Sequence, residues 1–179
     1  MSPASAQNPP APDLGQLFAE CEHTAFRLEL LERYNSPNLR EPLRRYLADG
    51  TTDMAWLEGW LATIRERVAE GKIVRRVRVV SLPLSDYNRF GLWTAAFNNE
   101  AGEDIRYLAR DDAAGLPEFD HWLFDSRRAA RMSFDDGVAV SSTLIDDPNV
   151  LVELNHQRDA AWHRSVARDE FAVEHLDRR

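Results

Sequence analysis

The sequence predicts an α/β fold, with α+β as the alternative, in which a mixed β-sheet of about five to six strands is flanked by helices. Residues 73–109 show a strand pattern, a helix pattern and a second strand pattern, and this order makes the two strands parallel. Residues 129–144 show two strand patterns around Asp135-Asp136-Gly137, a tight-turn sequence typical of an antiparallel hairpin. Parallel and antiparallel pairs are therefore expected in one sheet.

The segment before the sheet is predicted to form an N-terminal helical portion. Asp13 is a suitable N-cap for a short helix over residues 14–21, and residues 38–48 place apolar side chains on one helical face. Residues 24–34 fit either a strand, because apolar residues alternate there, or a helix, and we favour an extended segment.

The clearest helix pattern of this portion covers residues 53–70, and Gly71 ends it. Trp56 and Trp60 belong to its apolar stripe. Because such a stripe normally packs against a core, we predict that both tryptophans are packing residues and do not bind a ligand.

The sheet segments come next. Residues 73–82 are rich in β-branched residues, and Ser85 is a suitable N-cap for a helix over residues 86–98. The other strands are predicted over residues 103–109, 121–125, 129–134 and 138–144. Asp147 before Pro148 is a strong start signal for a helix that runs to about Val166, and a short helix is predicted over residues 169–176.

We expect one folded domain. Residues 1–12 are rich in Pro, Ala and Ser and are predicted to be a disordered lead-in. Residues 13–179 suit a single globular domain, divided into a mainly helical part (13–71), a sheet core (72–145) and C-terminal helices (146–179).

Composition and charge narrow the function classes. The chain has 179 residues, a net charge of −8 and a pI near 5.1, which disfavour bulk attraction to nucleic acid. Arg75 points to the opposite strand face from Arg76 and Arg78, so we expect no direct nucleic-acid binding. No apolar run is long enough to cross a membrane, and the single cysteine, Cys21, fits a reducing compartment. We therefore expect a cytoplasmic protein.

The turn after the first strand of the parallel pair is the favoured place for a ligand, because ligands bind beyond the carboxyl ends of parallel strands and at helix N-termini. The ligand-binding candidates at this edge are Arg76, Arg78, Ser85, Asp86, Tyr87 and Arg89. In the alternative interpretation Ser85 only caps the helix and the arginines pair with acidic residues.

Other chemical patterns are weak. Glu153-x-x-His156 is half of a di-iron carboxylate motif, but the second half is missing, so no metal is expected. Cys21 and His23 lie two residues apart, which is a weak nucleophile-and-base pattern. The sequence contains no Gly-rich phosphate loop and no Gly-x-Ser-x-Gly elbow, and no cofactor is expected.

Five separated segments resemble, in this order, an uncharacterised actinobacterial domain family of unknown function. They read FRLELLERY, VRRVRVVSLPLSDYNRF, AGEDIRYLAR, FDHWLFDSRR and LIDDPNVLVEL with RDAAW after it. The resemblance covers nearly everything from about Asp13 to Val166. It implies an association with helix-turn-helix transcription regulators, beside which such domains are encoded or to which they are fused.

The predicted strand order is also similar to half of a phospholipase D-like fold. The signature of that fold is His-x-Lys, four further residues and an Asp; aligned on Asp125, Glu118 stands at the His position and Asp120 at the Lys position. Because carboxylates repel a phosphate, the resemblance implies a half-domain that lacks the catalytic motif. Asp125 is then expected to orient Arg127 or Arg128 at the strand end, and Asp125 and Arg128 are further ligand-binding candidates.

The favoured hypothesis is a non-catalytic regulatory module that binds a small anionic ligand or a partner protein, in particular a helix-turn-helix regulator. The alternative is an enzyme that acts on phosphate esters through Asp125 with Arg127 or Arg128 and a helix N-terminus. The sequence leaves the oligomeric state open.

Overall fold

A seven-stranded mixed sheet forms the centre of the computed structural model, which describes residues 14–176. The strands are β1 (Thr24–Glu29), β2 (Ile73–Val80), β3 (Asp104–Ala109), β4 (His121–Phe124), β5 (Arg128–Asp135), β6 (Val138–Ile145) and β7 (Val166–Ala167). Their order across the sheet is β6-β5-β4-β1-β2-β3-β7. Strands β1, β2 and β3 are parallel to one another, and the other neighbouring pairs are antiparallel. The predicted mixed α/β fold is confirmed, and β7 adds a two-residue strand at one edge.

Six α-helices flank the sheet. They are α1 (Leu14–Glu20), α2 (Arg40–Asp49), α3 (Glu58–Ala69), α4 (Asp86–Ala101), α5 (Pro148–Arg164) and α6 (Arg168–His175). The predicted lead-in over residues 1–12 and the predicted N-cap Asp13 lie outside the described residues. No helix within residues 14–176 has the length and apolar character needed to span a membrane.

Element boundaries differ from the predictions where a local hydrogen bond intervenes. The Asp53 carboxylate accepts the Ala55 N–H at 3.2 Å, and the chain turns before α3 begins at Glu58. In the ambiguous segment over residues 24–34, only residues 24–29 form a strand. At the start of α5 the prediction is confirmed, since Asp147 Oδ1 accepts the Asn149 N–H at 2.8 Å and Pro148 is the first helical residue.

The two faces of the sheet bury different residues. On one face, Phe26, Leu28 and Val77 pack against Leu154 and Ala161 of α5. The other face, which we call the α4 face, packs against α1, α3, α4 and α6; its core includes Trp122, Phe124, Ile64, Leu17, Leu92, Tyr107 and Phe171. Because side chains alternate along a strand, the α4 face also carries Arg27 and Glu29 of β1 and Arg76 and Arg78 of β2, whereas Arg75 lies on the other face against Trp162.

Candidate ligand-binding cavity

A cavity of about 300 Å³ lies on the α4 face. Its floor is formed by Arg27 and Glu29 of β1 and by Arg76 and Arg78 of β2. The strand register places Arg27 beside Arg76 and Glu29 beside Arg78. Since paired residues of parallel strands share a face, the four charged side chains converge on one side of the sheet.

Glu29 is the centre of this charged floor. Its Oε1 lies 3.1 Å from Arg76 Nη1 and 3.5 Å from Arg27 Nε, and its Oε2 lies 3.3 Å from Arg78 Nη1. Burial would raise the pKa of Glu29, but the three guanidinium groups outweigh burial and lower the pKa to about 2. Glu29 is therefore ionised at neutral pH.

Two further carboxylates bind the arginines from behind the cavity wall. Glu103 accepts from Arg76 Nε at 2.8 Å and from Trp60 Nε1 at 3.1 Å, and its side chain is fully buried. Asp120 lies 3.3 Å from Arg27 Nη2 and accepts a short hydrogen bond from the Tyr34 hydroxyl. Three arginines thus face three acids, but only Glu29 of these acids lines the cavity.

Aromatic rings lie against each arginine of the floor. The guanidinium carbon of Arg78 lies 4.7 Å from the ring centre of Tyr34 and 5.8 Å from that of Tyr87. Arg27 lies 5.4 Å from the Trp122 ring and Arg76 lies 5.9 Å from the Trp60 ring. Such contacts hold the guanidinium planes in place and shield them from water.

The upper wall of the cavity is apolar and aromatic. It includes Trp56, Phe90, Phe134, Leu39 and Met132. The indole N–H of Trp56 is buried and has no acceptor among residues 14–176. The sequence predicts only a packing role for Trp56 and Trp60, whereas the structure places both in the cavity wall.

Three of the predicted site residues meet at this cavity, namely Arg76, Arg78 and Tyr87. Ser85 caps α4 through its hydroxyl, which accepts the Asn88 N–H at 3.2 Å, and Asp86 is exposed in the first turn. Neither of them lines the cavity. The helix N-terminus is therefore not where the arginines converge.

Arg89 points to a separate surface pocket. Its Nη1 donates to the carbonyl oxygen of His175 at 2.9 Å, and it lines a pocket with Leu82, Pro83, Leu84 and Glu174. The prediction that Arg89 joins Arg76 and Arg78 in one anion site does not match this geometry, because Tyr87 and Arg89 are two residues apart in α4 and therefore point to nearly opposite sides of the helix.

Asp125 lies at the opposite end of the sheet from the Ser85 turn. It follows β4, which runs antiparallel to β1, and its N–H donates to the Thr24 carbonyl at the start of β1. Its carboxylate accepts the backbone N–H groups of Glu22, His23 and Thr24 at 2.7–2.9 Å. Burial would raise the pKa of Asp125, but these hydrogen bonds lower it to about 2.

The two arginines that follow Asp125 belong to the same corner. Arg127 lies 3.6 Å from the Asp125 carboxylate and 2.6 Å from Glu22, whereas Arg128 donates to Glu20 at 2.7 Å. The full length of β2 separates this corner from the Ser85 turn. Asp125 and Arg128 therefore do not share a site with Arg76 and Arg78.

Replacing Asp125 with Asn is expected to lower the free energy of unfolding by about 1–3 kcal/mol, because a neutral amide cannot accept three backbone N–H groups as well as a carboxylate does. Urea denaturation measures the change. Asp136→Asn is the matched control, since Asp125 and Asp136 both have positive φ angles, 49° and 44°, which Asn tolerates. A loss of equal size in both variants would mean that the backbone hydrogen bonds of Asp125 do not stabilise the fold.

Several residues of the cavity are missing from the sequence-based site. Glu29, Arg27 and Tyr34 lie in the segment whose structure is ambiguous from sequence. Glu103 and Asp120, which bind the arginines without lining the cavity, each come directly before a strand. The alternation Phe26-Arg27-Leu28-Glu29 is the sequence signal that could have indicated Arg27 and Glu29 as site residues, because it places both on one strand face.

Residues 14–176 contain no group of three or more His, Cys, Asp or Glu side chains arranged to hold a metal ion. The Cys21 thiol is buried and donates a hydrogen bond to the Thr24 carbonyl oxygen at 3.3 Å. Burial, together with the neighbouring Asp125 carboxylate, raises the pKa of Cys21, so the thiol is not activated as a nucleophile.

Comparison with known proteins gives a family match over most of the chain. A family model described as a domain of unknown function (DUF6879) matches residues 12–173. The isoleucine–tRNA ligase of Bifidobacterium longum (strain NCC 2705) is 36% identical over 101 residues, which cover 51% of this chain and 9% of the ligase. The matched part of the chain thus covers less than a tenth of the length of that relative.

Proposed function

The chain belongs to the DUF6879 family of domains of unknown function, and we propose that it is a non-catalytic module that binds a small anionic ligand with a flat apolar part in the α4-face cavity. The observation that carries this proposal is the convergence of Arg27, Arg76 and Arg78 on an aromatic cavity of about 300 Å³. This volume is at the lower end of the range of small-molecule sites.

The charge of the cavity wall favours an anion. Three guanidinium groups and one carboxylate line the cavity, while the compensating Glu103 and Asp120 lie behind the arginines. Arginine presents several N–H donors in a planar fork, so a guanidinium that already binds Glu29 can also donate to a ligand carboxylate. The buried Trp56 indole N–H offers one more donor.

The shape of the wall favours a flat apolar group. Trp56, Phe90, Tyr34 and Tyr87 surround the charged floor, and their rings offer stacking and edge contacts to a planar ligand. An aromatic carboxylate combines both features, because its ring matches the wall and its anion matches the floor.

The lining also supports a binding role over a catalytic one. Among the described residues that line the cavity there is no His, Cys, Lys or Asp. The one acid, Glu29, has a pKa near 2, and burial raises the pKa of Tyr34 and Tyr107 above the ordinary tyrosine value. None of these groups has a pKa near neutrality, where general acid–base catalysis is efficient.

We extend the proposal to a regulatory role beside a helix-turn-helix transcription regulator on another chain, and to descent from half of a phospholipase D-like fold. Both rest on the sequence resemblance described above. The alternative, a phosphoester-acting enzyme around Asp125, has less support, because backbone N–H groups bind both carboxylate oxygens of Asp125.

Binding is expected to follow the charge of otherwise similar ligands. Calorimetric titration with indole-3-acetate, indole-3-acetamide and tryptamine compares an anion, a neutral amide and a cation on one ring system. We expect indole-3-acetate to bind at least about tenfold more tightly than tryptamine, because three guanidinium groups and only one carboxylate line the cavity. Equal affinities, or tighter binding of tryptamine, would contradict the proposal.

A cavity-filling variant tests whether the ligand binds in the α4-face cavity. A Cβ atom at Gly91 of α4 would meet no atom within 4 Å, and Gly91 lines the cavity. We therefore expect Gly91→Leu to fold normally and to abolish binding of indole-3-acetate. Gly59→Leu is the matched control, since Gly59 lies in α3, also has free space and does not line the cavity. Unchanged binding in Gly91→Leu would place the ligand elsewhere.

A further inference from the structure

Buried polar atoms without a hydrogen-bond partner are concentrated at the α4-face cavity. Within residues 14–176 seven such side-chain atoms occur, and three of them belong to residues that line this cavity, namely Arg27 Nε, Trp56 Nε1 and Asn98 Oδ1. Because buried polar groups in proteins nearly always have a partner, this concentration points to a bound molecule that supplies the missing partners. Such a molecule needs acceptors for the two N–H groups and a donor for Asn98.

An anionic group matches the two unpaired donors. Arg27 Nε lies 3.5 Å from Glu29 Oε1, which is an ion-pair distance, but it makes no hydrogen bond among the described residues. A carboxylate of the ligand can accept from Arg27 and from Trp56. Asn98 differs from both, because its unpaired atom is an acceptor and an ionised carboxylate has no hydrogen to donate.

The helix fixes which end of the Asn98 amide is unpaired. The Nδ2 group donates to the Thr94 carbonyl oxygen at 3.1 Å, one turn earlier in α4, and Oδ1 is left as the end without a donor. The Asn98 side chain is a buried one, since the residue is only 6% exposed. A buried acceptor without a donor is costly, and a ligand N–H placed against it removes that cost.

Asn98 lies at the Arg76 end of the cavity. Its carbonyl oxygen accepts the Glu103 N–H at 3.0 Å, and the Glu103 side chain in turn binds Arg76. Tyr87, at the other end of α4, lies beside Arg78. Eleven residues separate Tyr87 from Asn98 in the helix, a rise of roughly 16 Å. The cavity thus has an acceptor at one end of its charged floor and an aromatic hydroxyl at the other.

We propose that the α4-face cavity selects an aromatic acid that also carries a hydrogen-bond donor on its ring system, and that Asn98 determines this specificity. The inference rests on the proposed function, since it needs the anion on the arginine floor. The ring N–H of the ligand donates to Asn98 Oδ1 while the carboxylate accepts from the arginines. An acid of the same shape with an acceptor in place of the N–H brings two acceptors together and is rejected.

Two acids of the same shape test the inference on the full chain. Indole-3-acetate and benzofuran-3-acetate are both anions, and they differ in that an oxygen atom replaces the ring N–H. We expect calorimetric titration to show at least about tenfold tighter binding of indole-3-acetate, because the benzofuran oxygen leaves Asn98 without a donor. Equal affinities would overturn the inference. If tryptamine still bound more weakly than both acids, the anion-binding proposal would stand without it.

Two variants of α4 test whether Asn98 is the residue responsible. Asn98→Leu removes the acceptor at similar volume and should abolish the difference between the two acids. Thr94→Val is the matched control, because Thr94 is also buried and lines the cavity, but its hydroxyl already donates to the Gly91 carbonyl oxygen at 3.0 Å. It should keep the preference for indole-3-acetate. A preference that persists in Asn98→Leu or disappears in Thr94→Val would contradict the assignment.

Asn98→Asp provides a test that does not depend on the stability of Asn98→Leu. The substitution keeps an acceptor at the same position and adds a negative charge. Both acids should therefore bind more weakly, because like charges repel, whereas the preference for indole-3-acetate should remain. Loss of the preference in Asn98→Asp would show that the acceptor of residue 98 does not select the ligand.

Discussion

Replacing Glu29 with Gln lowers the free energy of unfolding by about 3–5 kcal/mol, because Arg27, Arg76 and Arg78 then surround a neutral amide in a largely buried site. Removing one member of a buried ion cluster leaves the other charges without compensation, and that cost exceeds the value of the lost attraction. Urea denaturation at pH 7 measures the change.

Glu41 provides the matched control for this result. Its carboxylate also binds two arginines, Arg44 and Arg45, and these hydrogen bonds lower its pKa to about 2. The charges of the surrounding guanidinium groups lower the pKa of Glu29 to the same value. Glu41 is exposed, so solvent screens its ion pairs and Glu41→Gln should cause no comparable loss. Similar losses in the two variants would show that burial does not strengthen the Glu29 cluster.

The Glu29 cluster also contributes to the loss of folding stability at acid pH. The pKa of Glu29 is lowered from 4.5 to about 2, so the unfolded chain takes up the proton first as the pH falls. The stabilisation by Glu29 is therefore complete above pH 4.5 and is lost as the pH falls towards 2. In Glu29→Gln this part of the acid transition should be absent.

Acidification from pH 6.5 to pH 4 is expected to cost about 3 kcal/mol of stability through His121 alone. His121 is buried between the rings of Phe26 and Phe119, and this burial lowers its pKa from 6.5 to about 4. Between these values the unfolded chain binds a proton that the folded chain does not bind. Stability due to this histidine is thus present above pH 6.5 and is lost as the pH falls.

His121→Phe tests this expectation, because phenylalanine has similar volume and cannot be protonated. The decline of the urea midpoint between pH 6.5 and pH 4 should become shallower in the variant. Burial raises the pKa of the neighbouring Asp120, so protonation of Asp120 stabilises the folded chain as the pH falls, which is opposite to the effect of His121. The test is therefore the difference between the two proteins in the slope of the urea midpoint against pH. An unchanged slope in His121→Phe would exclude His121 as the cause.

The elements that could be predicted from the sequence are those with local signals. The parallel pair β2–β3 follows from a strand–helix–strand pattern, and the β5–β6 hairpin follows from the Asp135-Asp136-Gly137 turn. The N-cap at Ser85 and the Asp147-Pro148 start of α5 are also local. In each case the residues that form the signal are close together in the chain.

The position of β1 could not be predicted in the same way. It lies at the centre of the sheet between β4 and β2, and both neighbours are distant in sequence. Its centre carries Arg27 and its last residue is Glu29, charges that weaken an apolar strand signal although both side chains are largely buried. They are tolerated because Arg76 and Asp120, from other parts of the chain, supply the opposite charges.

The sequence predicted only part of the candidate site, because its residues come from segments that are distant along the chain. Arg76, Arg78 and Tyr87 were predicted from their position near the end of β2, and the structure brings them to one cavity. Asp125 was predicted from a motif spacing along the chain, but Asp120 and Asp125 occupy opposite ends of β4. Spacing along a strand does not reveal which sheet edge each residue reaches, because that depends on the strand order.

The strand order also has a consequence for synthesis on the ribosome. Residue 25 of the central strand pairs with residue 124, so β1 has one unpaired side until β4 has left the exit tunnel. The sheet cannot close around its middle while only the first hundred residues are available, and such non-local pairing makes folding slower than local pairing does. Nascent chains arrested before β4 should therefore be sensitive to protease, and chains arrested after β5 has emerged should be resistant.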